Sequence, residues 1–407
     1  MTAQRSGLRI VVCGLLAQYP LGGVAWDYLQ YPLGLAHAGH DVYYLEDTGL
    51  WPYNPNEDGV SKACDFNVAY LAALMDRFGL GDRWAYRFAH EDQWFGMPEA
   101  RRCDVLRTAD LVINVSGTLR NPADLETRGI LCYVDSDPVF TQVKVARGQE
   151  DFRAVIDAHD VHFTFGETLS DEVPKTGHRW MPTRQPVVLD QWEPGAKDCG
   201  RFTTVMNWSS YNNVEYQGRA YGQKDVEFRR FLDLPANTSA SLEIAVASGK
   251  NARPPYDLLR HRGWSVVDPA VVCPDLDSYR HYLQTSHGEW SVAKHGYVVG
   301  QSGWFSCRSA CYLAAGRPVV AEDTGWSRVL PTGAGLFAFT TLEEAVAALD
   351  EIQSDHASHA RAAREVAEAH FDSTRVLNSL VERSLTCTPT HSSTLVAGGS
   401  SSDLQED

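Results

Sequence analysis

The segment from His295 to Gly335 concentrates the residue types that handle a phosphate group. An apolar run ends at Gln301-Ser302-Gly303, a helical pattern follows, and Gly316 closes it. A second apolar run, residues 318–321, then opens onto Glu322-Asp323-Thr324-Gly325. A glycine at a strand-to-helix join lets the backbone approach an anion. The helix start adds unpaired N–H groups and the positive end of its dipole. Ser302, Gly303, Trp304, Asp323, Thr324 and Gly325 are therefore the candidate phosphate-binding positions. Arg308 falls in the first turn of the helix, where a cation opposes the dipole. A bound diphosphate resolves that conflict, and so does a salt bridge to a nearby carboxylate.

Positions of this kind belong at the carboxyl ends of a parallel α/β sheet. Residues 8–16 form an apolar run that ends at Leu21-Gly22-Gly23, and a helical pattern over 24–37 stops at Gly39. Further strands are predicted over 41–45, 110–115, 129–134 and 161–165, while 50–56 and the aromatic-rich stretch 84–95 read as loops. The pattern breaks up around 182–194. Residues 191–200 are read as a linker between an N-terminal domain (1–190) and a C-terminal one (201–370). The second domain is predicted to hold strands over 202–206, 241–247, 264–267, 297–299 and 318–321. Its helices are expected over 304–315, 341–352 and 357–370. Asp372 is placed to cap a last helix, 371–385, that can return to the first domain. Residues 386–407, rich in Ser, Thr, Gly and acids, are expected to be a disordered tail.

Composition sets the outer limits. A chain of 407 residues, 44% hydrophobic and 22% charged, is globular and long enough for two domains. Thirty-six Lys and Arg against 52 Asp and Glu leave a net charge of −16, which argues against a nucleic-acid or anionic-membrane partner. No apolar run approaches the ~20 residues that span a bilayer. The nine cysteines are scattered without a C-x-x-C pair, so neither a zinc site nor a disulfide framework is expected, and the cytoplasm is the expected location. Gly14 and Gly22-Gly23 do not make the G-x-G-x-x-G of a dinucleotide dehydrogenase.

The block Ala310-Cys311-Tyr312-Leu313-Ala314-Ala315-Gly316-Arg317-Pro318-Val319-Val320-Ala321 resembles the E-A-x-A-x-G-x-P-V-V segment of GT-B glycosyltransferases. Asp323-Thr324-Gly325 and the run from Thr332 to Phe337 are similar to that family's glycine turn and later G-x-G-L segment. Residues 36–42 resemble its helix-to-strand join, and Gly22-Gly23 its first loop. The resemblance covers roughly residues 8–385. It implies an α/β fold of two Rossmann-like domains facing across a cleft. Many retaining members carry paired glutamates eight apart; here those places are Gly303 and Cys311, and the family's glutamate near Arg328 has no counterpart.

The resemblance further implies a nucleoside-diphosphate sugar held by the C-terminal domain and a small-molecule acceptor on the N-terminal one, with no metal or other cofactor. Lys294 and Arg308 are the cations expected at the diphosphate, with Gly22 and Gly23 reaching it across the cleft and Lys250, His287 and Glu289 as second-rank donor contacts. An inverting transfer needs a general base. Asp27, just inside the first helix, is the best-placed carboxylate, although an acidic residue there also suits the helix dipole; Asp47 and Asp137 are rivals at strand exits. Asp135-Ser136-Asp137 spells D-x-D but reads as a turn, so no metal site is expected. Two alternatives remain: a nucleotide-sugar 2-epimerase, disfavoured by few carboxylates near Gly303 and Arg308, and a non-catalytic nucleotide-sugar binder or auxiliary protein.

Overall fold

A computed structural model describes residues 7–57, 59–249 and 252–387. The N-terminal half contains β1 (Arg9–Cys13), β2 (Asp41–Glu46), the short hairpin β3 (Tyr53–Asn54) and β4 (Gly59–Val60), β5 (Trp84–Phe88), β6 (Gln93–Gly96), β7 (Leu111–Val115), β8 (Ile130–Asp135), β9 (Val161–Thr164) and β10 (Trp180–Pro182). The C-terminal half contains β11 (Arg201–Ser209), the hairpin β12 (Val214–Tyr216) and β13 (Arg219–Tyr221), β14 (Ser241–Gly249), β15 (Ser265–Val267), β16 (Gly288–Ser291), β17 (Val319–Glu322) and β18 (Leu336–Phe339). Strands such as β7 and β8 are continuous apolar runs buried along their whole length, the signature of a sheet covered by helices on both faces.

The first sheet runs β10-β9-β8-β7-β1-β2-β5-β6 and the second β15-β14-β11-β16-β17-β18. Every pairing in the second is parallel, and in the first only β5 with β6 is antiparallel. Strand order reverses between β1 and β7 in one sheet and between β11 and β16 in the other. Such switch points leave a crevice at the strand carboxyl ends.

Two expectations are corrected. The stretch 84–95 is not loop but the β5–β6 hairpin, its aromatic side chains packed along the sheet. Residues 297–299 are not a strand: they lie in the helix His295–Gly300, which ends at Gln301 with φ +44°. A short apolar run suits a buried helix as well as a strand, and the strand here is the preceding, more polar β16.

The halves are bridged on two sides of the crevice. On one side, Trp26 packs against Trp192 at 5.0 Å, and its indole N–H donates to the Leu276 carbonyl at 2.9 Å, within the main core. On the other, Val139, Phe140 and Val143 pack against Tyr221, Ala293 and Tyr297 as a separate cluster. Val139 sits there at φ +71°, a strained backbone for a β-branched residue. The helix Ser373–Leu385, capped by Asp372 accepting from the Thr374 N–H, lies on the helix Gly22–His37 and on β7 and β8. No helix among the described residues is long and apolar enough to cross a membrane.

Candidate active site

The crevice between the two switch points holds a cavity of about 1240 Å³ lined by both halves. That exceeds the ~300–1,000 Å³ of an ordinary single-ligand pocket, so two reactants fit. On the N-terminal wall the helix Gly22–His37 starts at the cleft, with Gly22 and Gly23 in its lining. Leu21 is extended at the cap position and offers no capping side chain, so the first-turn N–H groups have no side-chain acceptor there. Gly22 has a second reason to lack a side chain: a Cβ would stand 2.2 Å from the Asp275 carbonyl oxygen of the other half.

Four cations of the C-terminal half line the opposite wall, Lys224, Arg260, Lys294 and Arg308, and Lys144 lines the cavity from the N-terminal half. Arg308 is the second residue of the helix Cys307–Ala314 and thus opposes that helix's dipole. Its Nε donates to Glu289 Oε1 at 2.6 Å and its Nη1 to the Val205 carbonyl at 2.6 Å. Glu289, fully buried in β16, therefore resolves the dipole conflict in the ligand-free protein. Glu289 is a brace for Arg308, not a sugar contact. Arg308 Nη2 makes no side-chain hydrogen bond to the described residues, and the guanidinium lines the cavity.

Lys294 follows β16 at the switch point. Its ammonium lies 2.8 Å from Asp137 and 3.0 Å from the Tyr211 hydroxyl, over the Tyr211 ring. Asp137 also accepts from the hydroxyls of Tyr211, at 2.5 Å, and Tyr297. Burial pushes its carboxyl up, but Lys294 and the two phenols outweigh it, and the net pKa lies below the usual carboxylate value. An acid held ionised this firmly is a poor general base. Lys224 begins the helix Lys224–Phe228. Burial first, then the charges of Arg308 and Lys294, hold its ammonium well below the ordinary lysine pKa. Sequence reasoning missed Lys224, although it carries the signal that marked Arg308, a cation in a first helical turn.

Asp27 is in the second turn of the helix Gly22–His37, whose first turn holds no acid. The helix dipole therefore does not account for an acid at this position. It is half-buried, lines the cavity, and is pushed up to about 7 by burial, with the charge of Arg308 pulling the other way. Asp47 is absent from the cavity lining; it is bound by Arg87 at 3.1 Å, and Arg87 also holds Asp92. Asp135 is buried under hydrogen bonds from Thr141, Gln142 and Thr164.

The glycine turns do a different job from the one expected. Gly303 N–H donates to the Thr324 carbonyl at 2.8 Å, Gly325 N–H to Asp323 Oδ1 at 2.8 Å, and Trp304 N–H to the Ser302 hydroxyl at 3.3 Å. Ser302 offers its carbonyl to Thr168 of the N-terminal half, and a Cβ on Gly303 would stand 2.5 Å from the Thr168 hydroxyl. Ser302, Gly303, Asp323, Thr324 and Gly325 thus build the joint between halves and leave no N–H of Gly303 or Gly325 for a phosphate. Trp304 does line the cavity, and its indole donates to the Ser136 carbonyl across it.

His287 is at the amino end of β16, away from the cavity. It pairs with Asp198 and stacks on His356 at 3.8 Å, so it is not a donor contact. Asp198, His287 and His356 are the grouping of metal-ligand types among the described residues. Their ligand atoms lie within 4.8 Å of one another; His287 Nδ1 is paired with Asp198 and His356 Nε2 is 2.7 Å from the His287 carbonyl. Lys250 lies outside the described residues. Among the aromatic side chains near the cleft, Tyr53 and Trp304 reach the cavity, whereas Trp26, Trp208 and Trp326 are buried packing and Trp51 stacks on His90.

Two facing Rossmann-like sheets with a ligand-sized cleft between their switch points define the GT-B fold. Among solved structures the chain is similar to an alpha-glucosyltransferase in complex with UDP and a 13-mer DNA, at 12% identity and a TM-score of 0.55 over 93% of this chain and 100% of that one. It is similar to Anabaena Alr3699/HepE in complex with UDP and glucose, at 12% identity and a TM-score of 0.54 over 93% and 99%. A sucrose-phosphate synthase from Thermosynechococcus elongatus matches at 12% identity and 0.51, again over 93% and 99%. No family model and no curated protein sequence matches the chain.

Proposed function

We propose that this protein is a glycosyltransferase that moves a sugar from a nucleoside-diphosphate sugar to a small-molecule acceptor, without a metal. The observation that carries the reading is one cleft with an uncapped helix start on one wall and Lys224, Lys294 and Arg308 on the other. A leaving diphosphate develops charge, and preorganised N–H groups and cations stabilise it without an ion. The donor sits on the C-terminal unit, residues 201–370, and the acceptor on the N-terminal unit, residues 1–190, joined by 191–200.

Asp27 is the general base. It faces the same cavity as Arg308 from the acceptor wall, and a carboxyl raised to about 7 is poised to accept a hydroxyl proton near neutrality. UDP, bound in two of the similar structures, is the first nucleotide to try. One similar enzyme is complexed with DNA, but a chain at −16 suits an uncharged acceptor better. A second reading, a non-catalytic nucleotide-sugar binder, draws on Gly303 and Cys311 standing where the paired glutamates fall.

Incubation with a panel of nucleotide sugars, followed by chromatography of nucleotide and sugar, tests the proposal. Slow release of nucleoside diphosphate with free sugar supports transfer. Interconversion of the sugar without release points to an epimerase, and binding without turnover to the non-catalytic reading. No nucleotide-induced change in melting temperature would sink all three.

A further inference from the structure

Behind Lys224 and Lys294, two glutamates are buried against one guanidinium. Glu322 ends β17, Glu227 lies in the helix Lys224–Phe228, and each is 2% exposed. Arg230 Nη1 donates to Glu227 Oε2 at 2.5 Å and to Glu322 Oε1 at 3.1 Å, while its Nη2 is anchored on the Thr340 carbonyl. The second oxygen of Glu322 accepts from the N–H of Ala293 at 3.0 Å, one residue before Lys294. The second oxygen of Glu227 faces His295 Nε2 at 3.9 Å. Both carboxyls thus accept from the same guanidinium nitrogen, and two carboxylates buried this close cannot both hold a charge against one cation, so one of them carries a proton. Burial, and then the charge of Glu227, push the Glu322 carboxyl up.

We propose that Glu227 and Glu322 share one proton and in that state act as a positioning pair, holding Lys224 and Lys294 at the spacing that grips a diphosphate. The pair ties the helix that starts at Lys224 to the end of β17, and β17 in turn to the residue preceding Lys294. The proposal rests on the reading of this wall as the diphosphate site. Arg230 is the permanent cation facing the pair, with the His295 ring 3.9 Å from Glu227, and one guanidinium cannot neutralise two carboxylates. Loss of the proton therefore sets two like charges in a dry site. The helix carrying Lys224 is then driven away from β17.

Glu322→Gln keeps a permanent N–H donor in place of the shared proton. The test measures the affinity of inorganic pyrophosphate, and the melting temperature, from pH 7 to 10 for the wild type and E322Q. Titration of Lys224 is common to both proteins. The wild type is expected to lose about tenfold more pyrophosphate affinity than E322Q over this range, and its melting temperature to fall more steeply. Parallel curves for the two proteins, or no pyrophosphate binding at pH 7, overturn the proposal. Glu227→Gln gives the same expected result should E322Q not fold. Failure of both to fold also overturns it, because a shared proton implies that one permanent amide is tolerated. Pyrophosphate requires no nucleotide or sugar, so absence of sugar transfer counts against the proposed activity and leaves this result intact.

Discussion

Asp137 and Lys294 meet at 2.8 Å across the cleft although they are 157 positions apart in the chain. An acid of the N-terminal half thus occupies a cation of the donor wall, and a diphosphate at Lys294 must compete with it. Asp137→Asn removes the charge and keeps one acceptor oxygen, enough for one of the two phenols, since Tyr211 donates to Oδ2 and Tyr297 to Oδ1. UDP or pyrophosphate should then bind on the order of tenfold tighter by calorimetry, about 1.4 kcal/mol. Weaker binding would show that Asp137 organises Lys294 and does not compete for it.

Asp27 predicts a pH profile. As a base it works ionised, so donor turnover should rise as pH increases through about 7 and then level off. Asp27→Asn should cost roughly 10²–10⁴-fold in rate and flatten the profile while leaving the dissociation constant for UDP little changed. An unaltered profile in D27N would remove Asp27 from the mechanism. The same raised pKa makes a linkage statement. Folded Asp27 holds its proton more tightly than the unfolded chain, so its contribution to stability is complete below about 4 and is lost as pH rises through about 7. Glu46, buried under the N–H groups of Ala17 and Gln18 and also pushed up to about 7, acts in the same direction.

Lys224 predicts proton uptake. Its pKa is depressed in the free protein, and a nearby diphosphate favours the charged ammonium. Binding should take up protons, and affinity should fall as pH rises above the free-state value. Titrations in buffers of different ionisation enthalpy read this directly. Lys224→Met should abolish the uptake; uptake that persists assigns it elsewhere.

Arg308 is both ligand group and brace, so its removal costs more than binding. Arg308→Ala leaves Glu289 buried with a charge and no partner, which typically destabilises by roughly 3–5 kcal/mol. Arg308→Ala combined with Glu289→Gln should recover much of the melting temperature without recovering diphosphate affinity. Equal melting temperatures for the wild type and R308A would contradict the buried pair.

The alternation of apolar runs and helical patterns identified two α/β units, because buried parallel strands are continuous in sequence. It erred where length and polarity mislead. Residues 297–299 are apolar yet helical, and Gly288–Ser291 is polar yet a central strand, because Glu289 is there to meet Arg308. Arg308 and Asp27 were singled out from charge near a helix start and Lys294 from the family resemblance, and the structure brings all three to one cavity. The glycine turns around Gly303 and Gly325 were legible as tight turns but not as a joint, since Thr168, which fills them, is more than 130 residues away. Lys224 was hidden because its helix is only five residues long and gives no periodicity.

The two bridges across the crevice differ in size. The side built on Trp26 and Trp192 is continuous with the main core, so separating it exposes far more apolar surface than parting Phe140 from Tyr297. The smaller bridge also contains the strained Val139 and ends on the Asp137–Lys294 pair. Opening of the cavity is therefore expected to part the Phe140–Tyr297 side first while the Trp26–Trp192 side stays packed. The escape rate of product should then track the size of the side chain at position 140.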